Sequence, residues 1–296
     1  MNILFIVNPI AGKGNCDFVI EKIKEKMDSF HIPYKIKLTT RKNEAEEIAR
    51  NAVMKGYEKI VAVGGDGTIY EVVNGIIGSN TSLGVIPSGT GNDFVRTVGI
   101  PNDLDQALKV IAYGKAVNID CGKANDRYFV NVASVGLDAE IVKETQDVKK
   151  YLSGSWAYMG GLLKTLFSYK NKKVHMDIDE KKDKKNITLV AVANGKYYGG
   201  GMKIAPMADI KDGDFQVCVV DEISKLKLMR VFPKIFSGEH VDYEEVDMHT
   251  GKQIKIKSDE LLSINLDGDI IGKSFNIHFE MVPKGLKVLV PQDQTI

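Results

Sequence analysis

The apolar run Lys59-Ile60-Val61-Ala62-Val63 leads without interruption into Gly64-Gly65-Asp66-Gly67-Thr68, and no other junction constrains the chain as tightly. A short continuous apolar run ending in glycines reads as a buried strand that opens onto a phosphate-sized loop. Glycines let the backbone approach an anion and turn several N–H groups toward it, and a helix after the loop adds the positive end of its dipole. Asp66 does not suit a bare phosphate. Its charge suits a phosphate that travels with Mg²⁺, an ion that takes a carboxylate or two together with phosphate oxygens and water. A Mg-nucleotide loop is therefore the first expectation. The plainer alternative is a glycine-rich turn in which Asp66 caps a helix beginning near Thr68.

The flanking sequence sets this loop in a repeating frame. Strands are expected at Ile3–Val7, Tyr34–Leu38, 59–63 and 83–86, separated by helical apolar spacing over 18–30, Glu44–Met54 and 68–77. That alternation implies a parallel sheet covered by helices. Past Asp120 short β-rich runs take over, at 128–132, 187–193, 215–220, 254–256, 262–266 and 277–279, which predicts a mainly antiparallel second domain. The boundary falls near residues 120–126. The run 286–290 fits either domain by pattern alone.

A chain of 296 residues with 44% hydrophobic content has enough apolar material for two cores. No run approaches the roughly 20 apolar residues of a membrane span, and 3–7 lacks the length, flank and cleavage site of a signal peptide, so a cytoplasmic protein is expected. A net charge of +1 excludes a strongly basic nucleic-acid footprint. Cys16, Cys121 and Cys218 are too scattered for a disulfide framework or a zinc site. The lysine-rich stretch 170–185, interrupted by Asp177, Asp179, Glu180 and Asp183, reads as a solvated hairpin tip, with contact to an anionic membrane as the alternative.

Two more loops share the strand-to-helix position. Asn8-Pro9-Ile10-Ala11-Gly12-Lys13-Gly14 follows the first strand. It is not a Walker A loop, because Val7 and Gly14 stand where a glycine and a Ser or Thr belong; nor is it a dinucleotide fingerprint, because Asp17 occupies the third glycine's place. Pro87-Ser88-Gly89-Thr90-Gly91-Asn92-Asp93-Phe94 follows the fourth strand, with Thr90 able to bond a phosphate and Asp93 suited either to a metal or to a helix cap. Ligands of open α/β sheets bind beyond the carboxyl ends of the strands, where all three loops would meet.

In the second domain, Asp209-Ile210-Lys211-Asp212-Gly213-Asp214 crowds three acids into one turn, a repulsion relieved by a divalent cation or by solvent. Asn265-Leu266-Asp267-Gly268-Asp269 ends another strand; a hairpin turn accounts for Asp267 and Gly268, and Asp269 is the better candidate for chemistry. The aromatic-rich segment 156–167 with trailing lysines suits core packing or a membrane surface.

Taken together, the Asn8-Pro9 loop, the Gly64 to Thr68 loop, the Pro87 to Phe94 loop, the Asp212-Gly213 turn and the Asp267-Gly268 turn closely resemble the soluble bacterial diacylglycerol-kinase-type lipid kinases, relatives of the sphingosine and ceramide kinases. The resemblance covers nearly the whole chain. It implies an α/β ATP-binding domain like those of NAD kinases and phosphofructokinases over 1–122, an antiparallel β-sandwich domain for the lipid over 123–285, and a final strand, 286–296, returning to the first. It further implies an ATP site lined by Asn8, Pro9, Ile10, Ala11, Gly12, Thr39, Gly64, Gly65, Asp66, Gly67, Thr68, Ile69, Tyr70 and Thr90. A structural Mg²⁺ at Asp209, Asp212 and Asp214 is implied as well, two of them through backbone carbonyls, and Asp269 falls at the position of the general base. The chain departs from the family pattern at Ala11 for Ser, Tyr70 for Asn and Asp269 for Glu. The implied reaction moves the γ-phosphoryl group of ATP to a lipid hydroxyl, with Mg²⁺ near Asp66, at the surface of a membrane the chain does not span; a homodimer is compatible with it. A NAD kinase, or a nucleotide-binding regulatory protein that has lost catalysis, is the alternative.

Overall fold

Parallel strands form where the βαβα rhythm predicts them: β1 (Ile3–Val7), β2 (Tyr34–Leu38), β3 (Lys59–Gly64) and β4 (Ser82–Pro87), in the order β2-β1-β3-β4. The computed structural model describes residues 2–11, 15–137 and 169–294. Every residue of β1 is buried, as expected of a parallel strand covered on both faces, whereas edge strand β2 exposes Lys35 and Lys37, charges that discourage further pairing. The covering helices are α1 (Cys16–Ser29), α2 (Glu44–Met54), α3 (Asp66–Ile76), α4 (Asp93–Val98) and α5 (Leu104–Tyr113). Ile23 and Met27 of α1 and Leu108 and Ile111 of α5 share one apolar core with Phe5 and Val61 of the sheet. Helix α3 starts two residues ahead of the expected Thr68, which places Asp66 in its first turn.

The chain divides into two compact units, Met1–Cys121 with Pro283–Ile296, and Gly122–Val282. The run that pattern alone could not place is the end of β13 (Asp269–Val290), and it pairs parallel with β4 through Lys287 to Ser82 and Val288 to Leu83. Leu289 joins the first unit's core.

The second unit is antiparallel. Its strands β7 (Val132–Gly136), β8 (Lys172–Ile178), β9 (Lys181–Ala193), β10 (Phe215–Asp221), β11 (Val246–Gly251) and β12 (Gln253–Leu266) follow β5 (Lys115–Ala124) and the short β6 (Arg127–Phe129). The order is β11-β10-β9-β7-β12-β13, with β8 also pairing β9 and β12. The separate strands expected at 254–256 and 262–266 are one strand, because the polar interruption at Ser258, Asp259 and Glu260 is absorbed as a register shift between Lys257 and Leu262. The lysine-rich stretch is the β8–β9 hairpin, whose tip residues Asp179 and Glu180 adopt left-handed backbone, φ 46 and 72. Cys121 and Cys218 are buried, Cys16 is half-buried, and none of the three is in a disulfide. Among the described residues no helix is long and apolar enough to cross a membrane. The segment 156–167 lies outside the described residues.

Candidate active site

Three loops converge at the carboxyl ends of β1, β3 and β4, and the backbone ties them together. The Asn8 amide N–H donates to the Val63 carbonyl at 3.0 Å, and Ser88 N–H donates to the Gly64 carbonyl at 2.9 Å. Asn8 Nδ2 donates to Thr68 Oγ1 at 3.2 Å while its Oδ1 accepts from Ile10 N–H at 3.1 Å, so one side chain joins the first loop to the start of α3. Asn92 Oδ1 accepts from Gly89 N–H at 3.2 Å and sets the third loop. Gly65 and Gly89 meet backbone to backbone: a Cβ added at Gly89 would lie 2.5 Å from the Gly65 Cα.

These loops border a cleft of about 730 Å³, a size suited to a nucleotide-sized ligand. Of the residues expected at an ATP site, Asn8, Ile10, Ala11, Thr39, Gly65, Gly67, Thr68 and Thr90 line it. Five others do not. Ile69 and Tyr70 are buried in the core, because positions four and five of helix α3 point away from the loop; Gly64 closes β3 beneath Thr68; Asp66 and Pro9 are absent from the lining. Gly12 lies outside the described residues. Ile10 stands 88% exposed at the cleft, an apolar side chain with no core to enter.

Sequence reading missed Thr40, Arg41, Lys42, Ala45 and Glu71, which also line the cleft, as do Ser88 and Gly89 of the Pro87 loop that the sequence had placed there. Arg41 and Lys42 were findable: they follow β2, and the rule that ligands gather beyond strand ends applies to that strand too. Glu71 was findable only in part. It sits one helical turn after Thr68, but its carboxylate oxygens accept from Asn43 N–H at 2.9 Å and Ala45 N–H at 3.1 Å, a contact across 26 to 28 residues. Through those bonds α3 holds the start of α2, and with it the 39–45 loop.

Asp66 faces the third loop and is not part of the cleft lining. Its carboxylate accepts from Phe94 N–H at 3.3 Å and also from the backbone of Asp93 and Asn92, so it anchors the third loop to α3. Burial, and next the negative charge of Asp93, push its carboxyl group above the ordinary aspartate range; the three N–H donors pull the other way and only partly offset them. Asp93 opens α4, is itself buried, and pairs with Arg96 at 2.8 Å.

The second unit holds the remaining candidates. Asp267 is an anchor: its carboxylate accepts from the backbone N–H groups of Val130, Asn131 and Val132 at 2.8, 2.9 and 3.0 Å, from a left-handed backbone position with φ 49. Asn265 Oδ1 accepts from Gly268 N–H at 3.0 Å and closes the turn. Asp269, the next residue, is half-buried and begins β13 opposite Leu266. In the acidic turn, Asp209 Oδ1 accepts from Lys211 N–H and Asp212 Oδ1 from Asp214 N–H, each at 3.0 Å, around Gly213 with φ 77. Among the described residues no three acidic, His or Cys side chains are gathered for a metal ion. A carboxylate has about four acceptor positions, so these bonds leave capacity for a cation that takes backbone carbonyls as its other partners.

Comparison with known proteins accords with this arrangement. The Diacylglycerol kinase catalytic domain family matches residues 2–124, and the YegS C-terminal NAD kinase beta sandwich-like domain matches residues 131–290. A Diacylglycerol kinase of Bacillus subtilis (strain 168) is 30% identical over 292 residues, 98% of this chain and 96% of that protein. One of Staphylococcus aureus (strain MRSA252) is 31% identical over 290 residues, 97% of this chain and 92% of that protein. The crystal structure of a diacylglycerol kinase from Bacillus anthracis str. Sterne shares the fold with a TM-score of 0.77 at 23% identity, over 97% of this chain and 96% of that one. A second crystal structure from the same organism matches with a TM-score of 0.81 at 25% identity, over the same shares of each chain.

Proposed function

We propose, from the premise that the chain belongs to the diacylglycerol kinase family and is a lipid kinase, that it transfers the γ-phosphoryl group of ATP to the hydroxyl of diacylglycerol or a closely related lipid. The observation that carries the ATP reading is the cleft itself: three strand-to-helix loops, glycines pressed backbone to backbone, and Arg41 and Lys42 on the rim. Phosphoryl transfer asks a protein mainly for positioning and for compensation of phosphate charge. Backbone N–H groups of Gly65 and Gly67 and the hydroxyls of Thr68 and Thr90 supply donors, while exposed Ile10 offers an apolar face to a base. Asp66, held beneath the loops, fixes their spacing.

Mg²⁺ would arrive on the ATP phosphates and neutralise their charge; Asp66 and Asp93 fit it as negative charges behind the loop, and Asp212 with its neighbours fits a separate structural ion. Asp269 takes the role of general base, orienting or deprotonating the acceptor hydroxyl. Residues 123–285 serve as the lipid-binding domain, and the enzyme meets its acceptor at a membrane surface. Diacylglycerol, monoacylglycerol, a prenol, a sphingoid base and NAD, each offered with Mg-ATP, test the reading. Phosphorylated diacylglycerol is expected. NAD phosphorylation without lipid product would overturn it, an outcome worth an arm of its own because the matched C-terminal family is described as NAD kinase-like.

A further inference from the structure

A solvent-facing trough of about 790 Å³ crosses four adjacent strands of the second unit, β13, β12, β8 and β9. Strand register builds it. His278, Lys255, Asp177 and Lys182 stand opposite one another from strand to strand, and Asn276, Lys257, His175 and Lys184 repeat the row two residues along. Alternation puts both rows on one face, while Ile277, Ile256 and Met176 between them are at most 3% exposed and turn their side chains to the core. The floor of the trough is therefore backbone, and the two rows are its walls. Rows two residues apart are separated by about 7 Å, and four strands span about 14 Å. Asn125 fixes one end: its Oδ1 accepts from His278 N–H at 3.0 Å, and its own N–H donates to the His278 carbonyl at 2.9 Å.

The trough is lined by four lysines and two histidines against two aspartates. Both aspartates are engaged by backbone: Asp177 Oδ1 accepts from Glu180 N–H at 2.9 Å, and Asp183 Oδ1 from Lys184 N–H at 2.7 Å. Asp179, at the hairpin tip, accepts from Lys252 and Gln253 N–H, and Glu280 and Lys173 extend the face at opposite ends, outside the lining. Lys172 and Lys185 of the same hairpin pair with Glu260 and Asp221 at 2.6 and 3.2 Å, whereas among the described residues Lys182, Lys184, Lys255 and Lys257 have no acidic partner. Cations of one sign gathered in a concavity repel one another and focus their field on an entering anion. His278 adds an independent sign: its Nε2 is shut off from water without a hydrogen-bond partner. A buried ring nitrogen left unpaired costs free energy that a ligand oxygen recovers.

We propose that this trough binds a soluble anion of linked phosphates, its chain lying across the strands with oxygens on Lys255 and Lys257 from β12 and on Lys182 and Lys184 from β9. The two lysine pairs stand two strand steps apart, about 10 Å, a spacing that suits successive phosphates of one chain better than a lone ion. A trough with a backbone floor admits such a chain and excludes a flat surface. All its residues belong to the second unit, so the site is separate from the first unit's cleft and does not rest on the lipid-kinase reading. It gives a ligand to the lysine-rich stretch that sequence read as a solvated hairpin tip or a membrane contact.

The test is isothermal titration of inorganic tripolyphosphate into the full chain in magnesium-free buffer, with sulfate as the single-anion control. Wild type is expected to bind tripolyphosphate, more weakly as salt rises, and to bind sulfate about tenfold less tightly or worse. Lys255→Gln combined with Lys257→Gln should lower the tripolyphosphate affinity by about tenfold or more, because it removes two charge-assisted hydrogen bonds. Its melting temperature should be no lower than that of wild type, since both side chains are exposed and repel their neighbours. Lys182→Gln combined with Lys184→Gln should act the same way from the other end of the trough. The side-chain NMR signals of His175 and His278 should shift as tripolyphosphate is added, while those of His31 and His240 stay in place. Undiminished affinity in both double variants would overturn the proposal, as would unmoved signals of His175 and His278, or equal affinity for sulfate and tripolyphosphate. So would a wild-type chain that binds phosphatidylglycerol vesicles through these lysines but no tripolyphosphate, or a wild-type dimer that the double variants convert to monomer.

Discussion

Asp66 shows how one side chain can hold a site without lining it. Its carboxyl group is raised mainly by burial and then by Asp93, so the sign of its contribution follows. A carboxyl group raised in the folded state stabilises the fold while protonated and loses that contribution as pH rises through its folded value. Asp66→Asn, a neutral isostere, should therefore gain in melting temperature relative to wild type between acid and neutral pH. Its turnover should nevertheless collapse, because the amide no longer sets the third loop with the carboxylate's charge. Melts across pH together with kinetics check both halves; a variant with wild-type turnover removes Asp66 from the machinery. Asp269 is separable from its neighbour Asp267, whose oxygens are engaged by three backbone N–H groups. Asp269→Asn should lower kcat by about 10²–10⁴-fold with ATP binding kept, and Asp269→Glu should retain activity. Full activity in the Asn variant would move the base elsewhere.

At the scale of elements, the strand-to-loop-to-helix junctions succeed because two glycines allow two backbones to touch. Gly89→Ala would bring a Cβ within 2.5 Å of the Gly65 Cα, and backbone on the other side cannot yield as a flexible side chain would. The expected cost is about 1–3 kcal/mol in stability, typical of an overpacked site, with a rise in KM for ATP as the loops part. Denaturant titration and nucleotide binding read the two effects separately. The acidic turn before β10 makes its own claim: if it holds Mg²⁺ in the folded state alone, the ion raises the melting temperature of wild type and not of Asp212→Ala. Identical Mg²⁺ responses would leave it a solvated turn, already eased by the Lys211 and Asp214 N–H donors.

For the molecule as a whole, the decisive feature is the return of the chain's end to its beginning. Leu286, Val288, Leu289 and Val290 are each at most 2% exposed. At about 1.5–3 kcal/mol per buried side chain they contribute roughly 6–12 kcal/mol, comparable with a domain's entire stability of about 5–15 kcal/mol. Removing residues 285–296 should thus leave the first unit unfolded, read by circular dichroism and solubility; a folded, ATP-binding truncation would contradict this account. No local pattern could announce that pairing, since a parallel partner is chosen by topology and not by neighbours in sequence. What the sequence determined by itself was whatever is periodic or steric within a few residues: the βαβα rhythm, the change of texture after Asp120, and the glycine loops with Thr90 in the third, whereas Asn8, Thr39 and Thr68 were expected at the cleft from the family resemblance. Where charge and burial act across distance, only the tertiary structure decided. It turned Asp66 onto the backbone of residues 92–94, sent Ile69 and Tyr70 into the core, brought Glu71 to the start of α2, and joined the last strand to β4. In each case the partner lies far off in sequence, and the energy of a hydrogen bond or a buried side chain depends on that partner rather than on the residue alone.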